Sequence, residues 1–505
     1  MGVSQIFPSP AAPAVVLAAG ALVVMVAELA GRGPWRAKGV VALGVLALAV
    51  AALSLVIPGT PVPVQGPPEG APVWAQPSGA RLATDGLSTI TYGVVLVAAL
   101  LSLAISAPAL DSDEPAAFVA LLLLAAAGMG LLGSAQTLAG VFLGLELLSL
   151  SLYALVAYHR QNPQAREAAF KYLLLGSVAS ALLLFGIAMV YGSAGSLSLD
   201  RIAASGAELG DSRLFVGGFL LMLVGVGFKL ALAPFHAWAP DAYQGAGLGV
   251  TAFMSVATKA AAFAALLRVA MAAPEAAQGV LWLLAALSMA VGSLGALRQA
   301  ELRRLMAYSG IANAGYLMIA LPHFTQGGIE AALFYLGSYA LMNLGVFVAA
   351  AMLQPGPRRS YLLEGFEGAT ARDPLAGWVM VVFLLALVGM PLTGGFVGKV
   401  LLVGSAVREG ASWLAFFLAA STAILAYPYL KLVERIVRQR RKGVSADGMA
   451  PAGGLAGGTG HARAAAPYRR VLGVAAAAAA VAVVVLGVWP EPLLRLARLA
   501  LIPLG

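Results

Sequence analysis

Long apolar stretches separated by short polar turns run through the chain. A helix that crosses a bilayer takes about 20 apolar residues. Stretches of that kind fall at 11–31, 37–57, 85–107, 114–133, 135–158, 168–192, 213–238, 247–272, 276–297, 301–321, 327–353, 374–408, 411–436 and 468–488. The pattern predicts an all-α polytopic membrane protein with about fourteen transmembrane helices. The stretch at 374–408 is too long for one straight span and carries GMPLTGG at 389–395, so a break is expected around Pro391. The seventh stretch runs into GFKLALAPFHAWAPDAYQG, where Pro234 removes a backbone donor and interrupts the helix. Interrupted helices seven and twelve lie five apart and each carries a lysine, the pattern of internal repeats with an ion site at their breaks. Helices four to eight and nine to thirteen then form two five-helix units, and because five is odd the second is inverted.

This divides the chain into a three-helix segment at 1–110, a first repeat at 114–272 and a second, inverted repeat at 276–436. A flexible basic loop at 437–467 and a C-terminal helix with its tail at 468–505 follow. The Pro- and Gly-rich stretch at 58–84 is the other long loop.

Composition sharpens this picture. Hydrophobic residues make up 61% of the 505 positions and charged residues 10%, whereas soluble domains carry about 25% charge. The absence of cysteine excludes disulfides, cysteine-ligated metals, iron–sulfur clusters and c-type haem. Of the four histidines, His159, His323 and His461 fall in or beside loops and only His236 borders an apolar stretch, which argues against a membrane haem. The net charge of +9 does not mark a nucleic-acid binder, because the basic residues sit in short loops, where they set topology. Loops after odd-numbered helices hold 19 Lys and Arg against 7 on the other side, which places the odd loops in the cytoplasm and both termini outside. Residues 1–10 carry no Lys or Arg, so the first apolar stretch reads as a retained helix.

The charges inside apolar stretches are the candidate chemistry, because each costs about 2.5–3.5 kcal/mol at a helix centre and such groups are ion-path candidates. Glu146 sits near mid-helix and shares a face with Ser149 and Tyr153. Lys229 lies five residues before Pro234, and Lys259 ends a stripe of Thr251, Ser255 and Lys259. Lys399 lies eight residues past Pro391. Lys171, read as the fourth residue of its helix, can instead snorkel to the interface. His236 and Asp241 follow the first break; His236 fits a proton shuttle or a structural hydrogen bond. Two uncharged stripes, Ser309, Asn313 and Tyr316, then Tyr335, Tyr339 and Asn343, can hold water or join helices.

The runs GLELLSLSLYALVAY, EAAFKYLLLGSVASALLLFGIAMVYG and GFKLALAPFHAWAPDAYQGA resemble the antiporter-like membrane subunits of bacterial respiratory complex I. ELRRLMAYSGIANAGYLMIA, LFYLGSYALMNLGVF and GMPLTGGFVGK continue the match in order, over about residues 80–435. Among these subunits of the proton-pumping NADH:quinone oxidoreductase, the chain is most similar to the subunit N family. The resemblance implies fourteen helices, inverted five-helix repeats and broken helices seven and twelve. It also implies a proton path through Glu146, Lys229, Lys259 and Lys399, with Lys171 as the lysine of the KYLLLG motif. A lysine at 399 fits subunit N rather than subunit M, where a glutamate is expected. The resemblance implies a translocase subunit with no redox centre of its own. NADH, FMN, iron–sulfur clusters and quinone would belong to partner subunits, and subunits M and K would be membrane neighbours. Where the usual motif reads QGAP, this chain has Gln244-Gly245-Ala246-Gly247.

A subunit of a multi-subunit cation/proton antiporter shares the implied fold and lysines, and partner chains discriminate the two. A stand-alone secondary transporter is the more distant alternative. A membrane hydrolase needs a nucleophile–base pair or a metal site, and the chain has no His-Glu-x-x-His motif, no P-loop and no Cys.

Overall fold

A computed structural model describes residues 11–30, 36–55, 82–83, 85–112, 114–322, 325–353, 361–438 and 458–500. The chain is nearly all helix, and β-pairing among these residues is limited to three isolated bridges. In order the helices are α1 (Ala12–Ala30), α2 (Arg36–Ser54), α3 (Gly86–Ser106), α4 (Pro115–Ser134), α5 (Leu138–Val156) and α6 (Pro163–Ala194). The short α7 (Leu199–Ala204) and α8 (Gly206–Leu209) precede α9 (Arg213–Leu230), α10 (Trp238–Gly245) and α11 (Leu248–Ala270). Then come α12 (Gln278–Ala296), α13 (Leu302–Leu317), α14 (Gln326–Leu353), α15 (Ala369–Arg372) and α16 (Pro374–Val388). The last are α17 (Gly394–Arg408), α18 (Ser412–Val437), α19 (Gly458–Val488) and α20 (Glu491–Leu499).

Every apolar stretch coincides with a helix or with a helix and its break. Eleven helices among the described residues are long and apolar enough to cross a membrane, and Ala12–Glu28 and Pro374–Val388 are shorter apolar helices. The stretch at 374–408 divides where the GMPLTGG run stands: α16 stops at Gly389, whose φ of 93° only glycine adopts readily, and Thr393 caps α17. The seventh stretch ends α9 at Leu230 and resumes as α10 at Trp238, on either side of Pro234.

Two expectations are corrected. α6 starts at Pro163, five residues before the apolar stretch, because the Asn162 side chain caps it and Pro163 fills its first position. Lys171 is therefore the ninth residue of α6 and not the fourth. The segment 437–467 is not all loop: α19 begins at Gly458 and runs through the alanines at 462 and 464–466, strong helix formers in a stretch whose mean hydropathy His461, Arg463 and Pro467 pull down. Residues 439–457, His323 and most of the loop at 58–84 lie outside the described residues.

α11 is the central column. Every one of its residues is buried, with α3, α4, α9, α13 and α14 packed around it, so a side chain on α11 meets protein in every direction. Close helix approaches use glycine. A Cβ on Gly128 would stand 2.5 Å from Leu148 N across the α4–α5 contact, and one on Gly292 would stand 2.3 Å from Ala312 N across α12–α13. The entries to α5 and α13 are tied alike. Leu138 N donates to Leu197 O at 2.9 Å and Leu199 N to Gln136 O at 3.0 Å; Leu302 N donates to Tyr361 O and Leu363 N to Ala300 O, both at 2.9 Å.

Candidate functional site

Lys229 stands in the last turn of α9 and is 1% exposed. Its Nζ donates to Tyr172 Oη from α6 at 3.1 Å. It also lies 5.2 Å from the Tyr153 ring, 4.8 Å from that of Tyr172 and 5.6 Å from that of Phe228. The amine is thus held by aromatic faces and one hydroxyl.

Lys259, 2% exposed on the central helix, donates to Leu230 O at 3.3 Å. Leu230 is the last residue of α9, so its carbonyl is one that the break leaves without a helical partner. Lys399, 6% exposed, does the same at the other break: its Nζ donates to Leu387 O at 2.8 Å and Val388 O at 3.1 Å, the end of α16. Both cations sit at the negative end of a helix dipole. The ion pairs among the described residues lie elsewhere, at groups such as Lys171, Arg268 and Arg304, and no carboxylate pairs with Lys229, Lys259 or Lys399.

Polar side chains of α13 and α14 fill the interval between Lys259 and Lys399. Asn343 Nδ2 donates to Ser255 Oγ at 2.7 Å and Tyr339 Oη to Ser255 O at 3.4 Å, beside Lys259. A Cβ on Gly310 would lie 3.3 Å from both Lys259 Nζ and Tyr339 Oη, so the glycine leaves room for the amine. Tyr335 Oη donates to Asn313 Oδ1, Asn313 Nδ2 to Ser309 O at 2.8 Å, and Tyr429 Oη to Ser309 Oγ. The Tyr316 ring lies 5.9 Å from that of Tyr335, and Lys399 Nζ stands 5.6 Å from the Tyr316 centroid. Asn343 Oδ1 and Ser338 Oγ are buried without a hydrogen-bond partner among the described residues, polar points of the kind that ordered water satisfies.

Glu146 is only half-buried, at the outer edge of α5 beside exposed Leu143 and Leu150, and accepts a hydrogen bond from Ser180 of α6. Lys171 is exposed rather than buried, and pairs with Glu167 at 2.6 Å and Asp241 at 3.1 Å. Asp241 also takes Arg304 Nη1 at 2.7 Å. Burial pushes the Asp241 carboxyl up, but its hydrogen bonds from Arg304 and Lys171 outweigh this and hold it below the ordinary value of 3.8. His236 is half-buried in the segment between α9 and α10, apart from the lysine contacts above, and Pro234 and Pro391 are exposed at the two breaks.

The structure therefore groups Lys259 and Lys399 with Ser309, Asn313, Tyr335, Tyr339 and Asn343, sets Lys229 among Tyr153, Tyr172 and Phe228 with Glu146 near enough for its charge to act on the amine, and leaves Lys171 at the surface. Sequence reasoning missed Trp238, which donates from Nε1 to Phe228 O at 2.8 Å and stacks on Tyr172 at 4.3 Å. Its only signal was an indole beside a helix break. Arg268 is buried in the last turn of α11. It donates to Gly133 O, Asp85 Oδ1 and Ser88 Oγ at 2.8–2.9 Å.

Buried amines at helix breaks on a polytopic all-α scaffold define a membrane protein of the broken-helix, ion-handling class. The family model described as "NADH:quinone oxidoreductase/Mrp antiporter, TM" matches residues 135–425, and the chain belongs to that family. NADH-quinone oxidoreductase subunit N 1 of Symbiobacterium thermophilum is 41% identical over 97% of this chain and 98% of its own length. Subunit N of Salinibacter ruber is 42% identical over 70% of this chain and 72% of its own. A chain of respiratory complex I from Thermus thermophilus superposes with a TM-score of 0.76 at 35% identity, covering 96% of this chain and 99% of that one. A chain of the Mrp complex from Dietzia shares the fold, with a TM-score of 0.78 at 21% identity over 97% of this chain and 96% of that one.

Proposed function

We propose that this chain is a subunit-N-type, proton-translocating membrane subunit of NADH:quinone oxidoreductase, working in a bacterial cytoplasmic membrane beside antiporter-like neighbours such as subunits M and K. NADH oxidation and quinone reduction take place in partner subunits, which hold FMN and the iron–sulfur clusters. This chain carries protons along the row from Glu146 through Lys229 and Lys259 to Lys399. Its two five-helix units, α4–α11 and α12–α18, are inverted repeats, and the matching ties at the entries to α5 and α13 support that relation. Fourteen crossings place both termini outside the cytoplasm.

One observation carries the reading. Lys259 and Lys399 each donate to carbonyls freed at a helix break. A cation held by dipoles, without a fixed carboxylate, is stabilised by only part of its hydration energy. A change of charge nearby therefore shifts the balance between its charged and neutral forms. Glu146, at the outer edge, is where a neighbouring subunit can deliver that change. The proton on one amine then passes through hydroxyls, amides and water to the next amine, which is neutral when it accepts.

The test is to tag the chain, extract native membranes in mild detergent and assay the purified assembly for NADH-dependent quinone reduction. Activity in a large assembly is expected. A stable assembly without that activity, which exchanges Na⁺ for H⁺ in vesicles, would contradict the reading and favour a cation/proton antiporter, the second function that the shared fold accommodates.

A further inference from the structure

Lys229 is held by Tyr172, and Tyr172 is itself held from the far side of the break. The Trp238 ring lies on it, centroids 4.3 Å apart and planes within 10°. Trp238 Nε1 donates to Phe228 O at 2.8 Å, one residue before the lysine. A single side chain of α10 thus braces both the hydroxyl partner of Lys229 and the backbone that carries it.

A charge bridge stands beside that stack, between the same two helices. Lys171 precedes Tyr172 on α6, and Asp241 lies three residues beyond Trp238 on α10; their ion pair spans 3.1 Å. Asp241 also takes Arg304 of α13 at 2.7 Å. Arg304 is steadied by Gln244 Oε1 at 3.1 Å and Gln299 Oε1 at 3.3 Å. A pocket of about 180 Å³, lined by Gln164, Glu167, Lys171, Asp241 and Gln244, opens this bridge to the surface. An exposed ion pair adds little stability on its own, but this one joins α6 to α10 at Asp241, three residues from Trp238.

We propose that Trp238 is a positioning residue for Lys229, and that the Lys171–Asp241–Arg304 bridge holds it in place. The amine is seated on Tyr172 only while α10 is fastened to α6 and α13. The inference rests on the reading of Lys229 as a proton carrier, and it adds the residues that keep that carrier in reach of its partners.

The test measures protons moved per NADH oxidised in proteoliposomes of the whole purified complex, with oxidation of NADH by an artificial acceptor reporting assembly. Lys229→Met, Trp238→Leu, Trp238→Phe, Asp241→Asn and Asp241→Glu are compared with the natural chain. Asp241→Asn and Trp238→Leu are expected to lower the contribution of this subunit about fivefold, the population change that loss of one hydrogen bond brings. Trp238→Phe keeps the ring on Tyr172 but not the hydrogen bond to Phe228 O, so it recovers only part of the loss, whereas Asp241→Glu keeps the charge and recovers most of it. If Lys229→Met lowers the ratio while Trp238→Leu and Asp241→Asn leave it unchanged, the positioning role is overturned and the carrier role stands. If Asp241→Glu fails as badly as Asp241→Asn, the bridge is not what seats Trp238. If Lys229→Met itself changes nothing, the carrier reading falls and this inference with it.

Discussion

A buried amine must find its counter-charge somewhere, and in this chain it comes from carbonyls at helix ends and from aromatic faces. Lys259 reaches Leu230 O, Lys399 reaches Leu387 O and Val388 O, and Lys229 rests among Tyr153, Tyr172 and Phe228. Such contacts are soft, and small displacements of the amine change them. Gly310 tests this directly. A Cβ there would stand 3.0 Å from Lys259 Cε, so the lysine must shift. Alanine also favours a helix interior by about 0.5–1 kcal/mol over glycine. Gly310→Ala is therefore expected to leave thermal stability unchanged or raised while proton translocation falls. A variant that pumps like the natural chain would show that Lys259 needs no such room. Tyr335→Phe removes the bond to Asn313, and it is expected to slow translocation, measured by proton uptake into vesicles, while NADH oxidation by an artificial acceptor is unchanged.

Helix ends, rather than helix middles, set the geometry at the next scale. At the second break Gly389 takes a φ of 93° and a Cβ there would come within 3.3 Å of Lys399 Cδ. Gly389→Ala is expected to cost about 1–2 kcal/mol in backbone strain and to crowd the lysine, lowering both the unfolding midpoint and translocation. At the outer corner, Arg268 joins α11 to Asp85 at the start of α3 and to Gly133 near the end of α4. Burial pushes the Asp85 carboxyl up, but the charge and hydrogen bond of Arg268, with Ser88, bring it below 3.8. A lowered carboxylate contributes stability above the ordinary value and loses it as the pH falls through the lowered one. Asp85→Asn is thus expected to lower the unfolding midpoint at neutral pH, by about 2 kcal/mol of lost charged hydrogen bonding. The gap to the natural chain should close in acid well below 3.8. Equal midpoints at neutral pH would show that the corner is held by packing alone.

What could be read from the sequence divides along the same line. Both breaks were legible because Pro234 and the GMPLTGG run stand inside apolar stretches that nothing else would interrupt. The lysines were legible because a charge in such a stretch has few reasons to be there. α13 shows where hydropathy weakens: Ser309, Asn313 and Tyr316 lower its apolar character, yet all three are buried against the lysine row. The start of α6 was set by an Asn-Pro cap that a hydropathy window does not see. The roles of Trp238, Tyr172 and Arg268 depend on which helices become neighbours across tens of residues, and no local pattern carries that.

At the scale of the whole molecule, the fully buried α11 puts Lys259 at the centre of the bundle, with Lys229 at the end of α9, which packs on α11, and Lys399 near the start of α17, on the far side of α14. Glu146 sits at the edge, where a further subunit can reach it. The tagged chain is accordingly expected to migrate with other membrane subunits on native gels, and migration as a lone chain would contradict that arrangement. The most direct measurement is of protons moved per NADH oxidised in proteoliposomes of the purified complex carrying Lys259→Met. The ratio is expected to fall while NADH oxidation by an artificial acceptor stays at the natural rate. An unchanged ratio would mean that protons do not travel through the lysine row.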